Sequence, residues 1–425
     1  MSTRRLFFGI LAAGLLWRLS LAFVVVPMWE ARAGVASAPD AYPLLARSLV
    51  VEGTLGYAPA GASPTTVRGP GFPSWLAVSV AAGADDPRWL GFWGGLPGLF
   101  AGAWLASLLA RRWCAIAGIV GGAVAVLHPL PSLIASRVMG DDFYGALGFA
   151  ALALWTNALG AKDRRRGAIG AVAAGLLLAV QMLARASGIL TLFVAIGYML
   201  WRGRGKFALG VVLAAVALVP PLAWSVRTSR LEDRPVFVHS LGAYNFWIGE
   251  GFDRFGTGNP PSGNYPDIVR FALAQAGPDF EDERFWYAGL EPLRAAELDL
   301  RLAHAARRRI ADDPAGYALR VVKGIPAYWV RATTTSRTLQ YAVAVVPVLL
   351  LAGLGVRRAL GDPLGVQLLL VLAVHNVVYA AVFPAARMSV QVYPALAYLA
   401  GVGVAALLGQ LGRDHRRGRP VVRLW

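Results

Sequence analysis

The sequence predicts an all-α polytopic membrane protein, and three observations carry that reading. Of 425 residues, 57% are hydrophobic and only 15% charged, with a mean hydropathy of +0.54. A soluble domain carries nearer a quarter charged residues. Apolar runs of about 20 residues recur, each long enough as a helix to cross a ~30 Å hydrocarbon core. The basic residues collect in short connectors between those runs: Arg4-Arg5, Arg111-Arg112, Lys162 with Arg164 to Arg166, Arg202/Arg204/Lys206, Arg357-Arg358, and the tail from Arg413 to Arg423. Eighteen of the 41 Lys and Arg residues lie there, which is the positive-inside distribution and not a nucleic-acid-binding stripe. The net charge of +17 therefore orients the spans, and the basic tail meets anionic lipid headgroups.

Ten spans fit the pattern, at roughly 6–27, 88–110, 113–134, 143–160, 167–184, 188–201, 207–224, 338–356, 364–384 and 389–411. With Arg4-Arg5 in the cytoplasm, every basic cluster falls on that side, so both termini are expected there. Arg18 lies inside the first span and must face the bundle interior or a wet cavity. Ala36-Ser37-Ala38 has the form of a signal-peptidase site. The apolar run before it is too long for an ordinary signal peptide, so the first span is expected to be retained. The outer segment 28–87 contains an apolar stretch, 74–83, that is too short to span and is expected to lie in the interface. The second outer segment, 225–337, is the one sizeable polar region. Within it 291–311 reads as an amphipathic helix with Leu298, Leu302 and Ile310 on one face. Asp312-Asp313-Pro314 ends that helix, because the residue before a proline avoids the α region. Three sections follow: 1–224, a transmembrane module with its first outer loop; 225–337, an extracytoplasmic and mainly helical region; and 338–425, the last spans and the basic tail.

Cys114 is the single cysteine, which excludes an intramolecular disulfide and a thiolate zinc cluster. His128, His239, His304, His375 and His415 show no metal-ligand spacing. Lysine occurs only three times beside abundant Arg, Ala and Gly, the composition of a high-GC bacterial genome.

The residues that suit chemistry gather on the outer side. Asp40 and Tyr42 follow the first span, and Arg68-Gly-Pro-Gly-Phe-Pro73 closes the same loop. An acid, an aromatic and a guanidinium at the lip of a membrane protein suit a lipid-linked phosphate. The stretch PDAYPLLARSLVVEGTLGY followed by TTVRGPGFPSWLAV resembles the first extracytoplasmic loop of the family 39 and related glycosyltransferases of GT-C fold, a group that includes the protein O-mannosyltransferases and the lipid A aminoarabinose transferases. The matching positions are Asp40, Tyr42, Ala46 with Leu49, Arg68, and Pro70 with Pro73. The likeness continues in order: Asp141-Asp142 before the fourth span, Arg185-Ala-Ser-Gly188, Pro220 through Trp224 to Arg227, Tyr244-Asn245-Phe246-Trp247, Asp313-Pro314 with Tyr317, and Ala386-Arg387-Met388. Departures are the lone base of Val67-Arg68, Gly69 at a frequent proline position, and an acidic doublet where the family has one acid. They leave the sugar class and any need for Mg²⁺ or Mn²⁺ open.

The resemblance implies a GT-C helical bundle that takes a sugar from a polyprenyl-phosphate donor at the outer face of a bacterial inner membrane. The acceptor would be a hydroxyl on a protein, lipid or cell-wall glycan. Elementary chemistry agrees. The phosphate is already a good leaving group, so the site needs a base for the acceptor hydroxyl and fixed positive charge for the departing phosphate. Arginine suits the second task because its planar fork binds phosphate oxygens and stays protonated. The catalytic candidates are Asp40, as base, with Asp141 and Asp142. Arg68, Arg185, Arg227 and Arg47 are the phosphate candidates, and Tyr42, His128, Asn245, Trp247 and Arg387 the substrate-binding ones. Each has a plainer reading. Asp40 would cap a helix starting near Tyr42, Arg68 would hold headgroups, the acidic doublet would pair with Arg137, Arg185 and Arg387 would snorkel, and His128 would satisfy a kinked helix. A polytopic transporter or lipid flippase is the rival function.

Overall fold

A computed structural model describes residues 2–33, 40–57, 64–203, 205–240, 242–255, 265–280, 291–332 and 334–411. Ala36-Ser37-Ala38, Arg204 and the basic tail from Arg413 to Arg423 lie outside the described residues. All regular structure among the described residues is helical, as lipid demands of a chain that must satisfy every backbone N–H and C=O internally. Among the described residues nine helices are long and apolar enough to cross a membrane: Thr3–Arg32, Pro87–Arg112, Ala115–Ser136, Asp141–Gly160, Arg164–Ala184, Phe207–Glu232, Thr335–Ala359, Pro363–Val382 and Ala386–Gly409. The tenth expected span is the helix Gly188–Arg202, which has only 15 residues. At ~1.5 Å per residue it falls short of a ~30 Å core. The chain is a multi-pass membrane protein.

The first helix runs well beyond its expected end, through a π-turn at Leu21–Val25 into Val26–Ala33. The expected interfacial stretch is the helix Gly71–Ala81. It packs with Tyr42–Glu52 into a small second core of Tyr42, Leu45, Phe72, Leu76, Leu90 and Phe143. The amphipathic helix of the large loop is Pro292–Asp312, with Leu298 and Leu302 fully buried. Asp313 then accepts the Gly316 N–H and opens Pro314–Val330, so one short sequence both stops a helix and caps the next.

That last helix moors the large loop to the bundle. Arg320 donates Nη1 to the Ala381 carbonyl at 3.0 Å and Nη2 to the Val382 carbonyl at 3.1 Å, and its Nε pairs with Asp253 at 2.8 Å. These carbonyls end the Pro363–Val382 helix, so a buried cation satisfies acceptors that a helix C-terminus leaves orphaned. Arg320→Ala should uncouple the loop, and limited proteolysis should then cut near residues 242–320 faster than in wild type. Unchanged cleavage would show that apolar packing alone holds the loop.

Within the bundle, Arg18 finds its partner: its Nη2 lies 2.9 Å from Asp142 Oδ2, with both side chains buried. Gly95 and Gly98 make room for the pair. A Cβ on Gly95 would sit 2.6 Å from Arg18 Nη1, and one on Gly98 would overlap the Asp142 carboxylate.

Candidate active site

Five separate segments converge on two carboxylates. Asp40 precedes the Tyr42–Glu52 helix, and Asp141 opens the Asp141–Gly160 helix. Arg387, from the turn Ala386–Ser389, bridges them. Its Nη1 and Nη2 both donate to Asp40, while its Nε donates to Asp141 Oδ2 at 2.9 Å. Arg185, just past the Arg164–Ala184 helix, reaches Asp141 Oδ1 at 2.7 Å. Gln391 Nε2 donates to that same oxygen at 3.1 Å. Arg68 Nη2 stands 3.9 Å from Asp40 Oδ1, and its guanidinium lies over the Tyr42 ring. Asp141 is wholly buried, whereas the Asp40 side chain keeps 13% exposure.

The backbone is bent to make this meeting. Among the described residues four non-glycines have left-handed φ, and three are at the site: Ala41 beside Asp40, Val138 three residues before Asp141, and Val238 beside His239. Such conformations cost of order 1–3 kcal/mol and persist only where the surroundings over-determine them. At Val238 two hydroxyls do so, since its N–H donates to Ser225 Oγ at 2.9 Å and its carbonyl accepts from Thr228 Oγ1 at 3.3 Å. Ser240 then binds the Thr66 carbonyl through its N–H at 3.0 Å, tying this stretch to the Arg68 loop.

The Arg68 loop lies against the end of the Arg164–Ala184 helix. A Cβ on Gly69 would overlap the Leu183 carbonyl oxygen, and one on Gly71 would come within 2.6 Å of Ala184 N. Both obstacles are backbone and cannot swing aside. Gly69→Ala is therefore expected to push Arg68 away from Asp40, costing about 1–3 kcal/mol of stability; a melting temperature equal to wild type would contradict the contact.

Electrostatics follow from the geometry. Burial works against ionisation of Asp40, but Arg387, then Arg68 and Arg185, outweigh it and hold the carboxyl well below the usual carboxylate range. Tyr57, half-buried beside Arg68 and hydrogen-bonded to it, has its phenol pushed up to about 12 by desolvation, so it remains a donor. His239 accepts the Ala186 N–H at Nε2 and hydrogen-bonds the Ser240 carbonyl through Nδ1. Burial, with Arg68 and Arg185 nearby, pushes its imidazole down to about 4. A histidine held neutral in the fold adds stability above its unfolded pKa of ~6.5, and that stability is lost as pH falls toward 4. His239→Gln should flatten the acid dependence of the melting temperature between pH 6.5 and 4; an unaltered slope would assign it elsewhere.

The structure thus brings together Asp40, Asp141, Tyr42, Arg68, Arg185 and Arg387. It does not bring in the other candidates. Asp142, one residue along the helix, turns away to Arg18. Arg47 pairs with Asp85 at 3.1 Å on the surface. Arg227 lies over Trp224 at 4.4 Å, with no carboxylate paired to it among the described residues. His128 caps Pro129–Ser136 through Nδ1 and binds the Ala344 carbonyl through Nε2, a structural use. Asn245 is exposed on the Gly242–Phe255 helix, and Trp247 is buried with its indole N–H on the Leu302 carbonyl. The plainer reading of Asp40 as a helix cap is not what is found: Ala41 is the N-cap of Tyr42–Glu52 and no side chain caps it. Nor does the acidic doublet pair with Arg137, which faces Glu30 at 3.5 Å. Sequence reasoning missed Gln391 and His239. The first was detectable, since Gln391 follows Arg387 by four residues and so shares its helical face.

No protein-family model and no curated protein sequence matches the chain. Solved structures do. The oligosaccharyltransferase AglB from Archaeoglobus fulgidus, in complex with an inhibitory peptide and a dolichol-phosphate, superposes with a TM-score of 0.55 at 13% identity, covering 97% of this chain and 52% of that one. The same enzyme tethered to an acceptor peptide containing the NVT sequon gives 0.55 and 13%, over 96% and 50%. ArnT from Cupriavidus metallidurans, bound to undecaprenyl phosphate, gives 0.40 and 17%, over 96% and 78%. The chain spans about half the length of the oligosaccharyltransferase it matches, and the likeness is one of fold.

Proposed function

We propose that this chain, whose fold is that of the GT-C membrane glycosyltransferases, moves a sugar from a polyprenyl-phosphate donor to an acceptor hydroxyl outside the cytoplasm. The observation that carries the reading is the Arg387 bridge between Asp40 and Asp141, flanked by Arg68 and Arg185. Three guanidiniums against two carboxylates leave a net positive charge at the lip of the bundle, the balance that a lipid phosphate would complete. The dolichol-phosphate held by AglB supports the same class of donor.

The reaction would run as one displacement. The donor phosphate competes with Asp40 for the Nη edge of Arg387 and for Arg68. Asp40, released from its cations, gains the proton affinity that it lacks while paired, and takes the proton of the acceptor O–H. The acceptor oxygen forms its bond to the anomeric carbon as the carbon–phosphate oxygen bond breaks. The electron pair stays on the phosphate, which the arginines stabilise, and the anomeric centre inverts. Asp141, fully buried under Arg185, Arg387 and Gln391, positions the cations and touches no reactant. Donor binding would thus precede deprotonation of the acceptor.

The setting would be the inner membrane of a bacterium, with both termini in the cytoplasm as the basic connectors suggest; that orientation needs the short helix Gly188–Arg202 to serve as a tenth crossing beside the nine longer ones. The acceptor would be a protein, lipid or cell-wall glycan. The helices of 242–330 would shape the acceptor side. The test is transfer of labelled sugar from polyprenyl-phosphate sugars by membranes containing the chain. No transfer from any such donor, together with donor translocation in liposomes, would replace this reading with the flippase one.

A further inference from the structure

We propose that Arg387 occupies the place a divalent cation would hold between the two acids, so that this chain catalyses transfer without a bound metal ion. The inference rests on the glycosyltransferase reading and concerns what charge bridges the acids to the donor phosphate. Asp40 and Asp141 come from different segments and converge at one point, and Mg²⁺ is commonly held in that way, by one or two carboxylates plus substrate phosphate oxygens. Here every carboxylate oxygen already faces a cation or amide donor. Asp141 Oδ1 has Arg185 at 2.7 Å and Gln391 at 3.1 Å, and Asp141 Oδ2 has Arg387 Nε at 2.9 Å. Asp40 Oδ1 has Arg387 Nη1 at 3.3 Å and Arg68 at 3.9 Å, and Asp40 Oδ2 has Arg387 Nη2.

A dication entering there would have to displace guanidiniums and then sit beside three of them. No third His, Cys, Asp or Glu joins the acids to complete a ligand set among the described residues. The bridging guanidinium has what the metal would supply: permanent charge and several directed contacts on opposite edges. Its Nε edge stays on Asp141 while its Nη edge passes from Asp40 to the phosphate. It is rigidly mounted, too. The Ala386 N–H donates to the Arg331 carbonyl at 2.8 Å, and the Tyr328 hydroxyl donates to the Met388 carbonyl at 3.1 Å, on either side of Arg387.

The full-length chain, purified in detergent, tests this in two ways. Titration with Mn²⁺ followed by electron paramagnetic resonance should show no stoichiometric Mn²⁺ on wild type. Transfer from the labelled donor should be unchanged, within about twofold, by EDTA or added Mg²⁺. Arg387→Ala removes the bridge but leaves Arg185 and Gln391 on Asp141 and no third ligand among the described residues, so folded variant should lose transfer more than about tenfold and Mg²⁺ or Mn²⁺ should not restore it. Wild type that binds one Mn²⁺, wild-type transfer that EDTA lowers more than about tenfold and Mg²⁺ restores, or folded Arg387→Ala whose transfer Mg²⁺ or Mn²⁺ restores would each overturn the proposal. The wild-type arms need no variant, so misfolding of Arg387→Ala leaves the inference testable. Failure of wild type with every donor sinks the glycosyltransferase reading, and the Mn²⁺ titration still decides this one.

Discussion

Asp40→Asn should lower sugar transfer by about 10²–10⁴-fold, the usual worth of a positioned general base. Asparagine keeps the shape and can still accept hydrogen bonds from Arg387, but it cannot take a proton. The loss is therefore expected in kcat, while KM for the donor stays level or falls, because Arg387 and Arg68 are freed for phosphate. Arg387→Ala should instead damage both, since it removes a phosphate contact and the bridge to Asp141. A loss of under about tenfold in correctly folded Asp40→Asn protein would remove Asp40 from the base role. The pH profile supplies a second mark. Arg387, Arg68 and Arg185 depress the Asp40 carboxyl in the free enzyme, so the acid limb of kcat/KM should lie below the usual carboxylate range. The limb of kcat, which reports the donor complex, should lie higher, because phosphate has taken the cations. For stability the sign is that of a depressed acid: the pairing contributes fully above ~3.9 and is lost as pH falls through the folded value.

Breaking the Arg18–Asp142 pair should be the most damaging change to the fold. Each side chain is almost wholly buried, at 2% and 5% exposure, and removal of one partner leaves an uncompensated charge. Arg18→Met or Asp142→Leu alone should cost about 3–5 kcal/mol, read as thermal unfolding in detergent. The double variant should recover most of that loss, because replacing a buried ion pair with apolar residues is often neutral. Singles that each cost under about 1 kcal/mol would show the pair to be solvated. Gly98→Ala is expected to mimic the single losses by driving a methyl group into the Asp142 carboxylate.

Much of this was legible along the chain. The apolar runs marked nine helices long enough to span among the described residues, and the polar segment 225–337 lies between two of them. Its helix Pro292–Asp312 carries the two leucines expected to be buried. Asp40 and Arg68 share one loop and were readable as a pair from their place beside the first span. Arg387 was different. Taken alone it fits a snorkelling cation, and its partners lie 347 and 246 residues away. The doublet Asp141-Asp142 shows the same boundary from the other side. Neighbouring helix residues point about 100° apart, so one acid meets Arg387 and Arg185 while the next meets Arg18.

Sequence by itself determined that this chain enters a membrane, which end of each apolar run carries positive charge, and which loop bears Asp40 and Arg68. Those properties depend on local composition, because transfer of a segment into lipid is roughly a sum over its own residues. Only the tertiary structure decided which carboxylate meets which guanidinium. Ion pairing acts through space over a few ångströms, and those distances exist only once Gly69, Gly71, Gly95 and Gly98 have let the helices close.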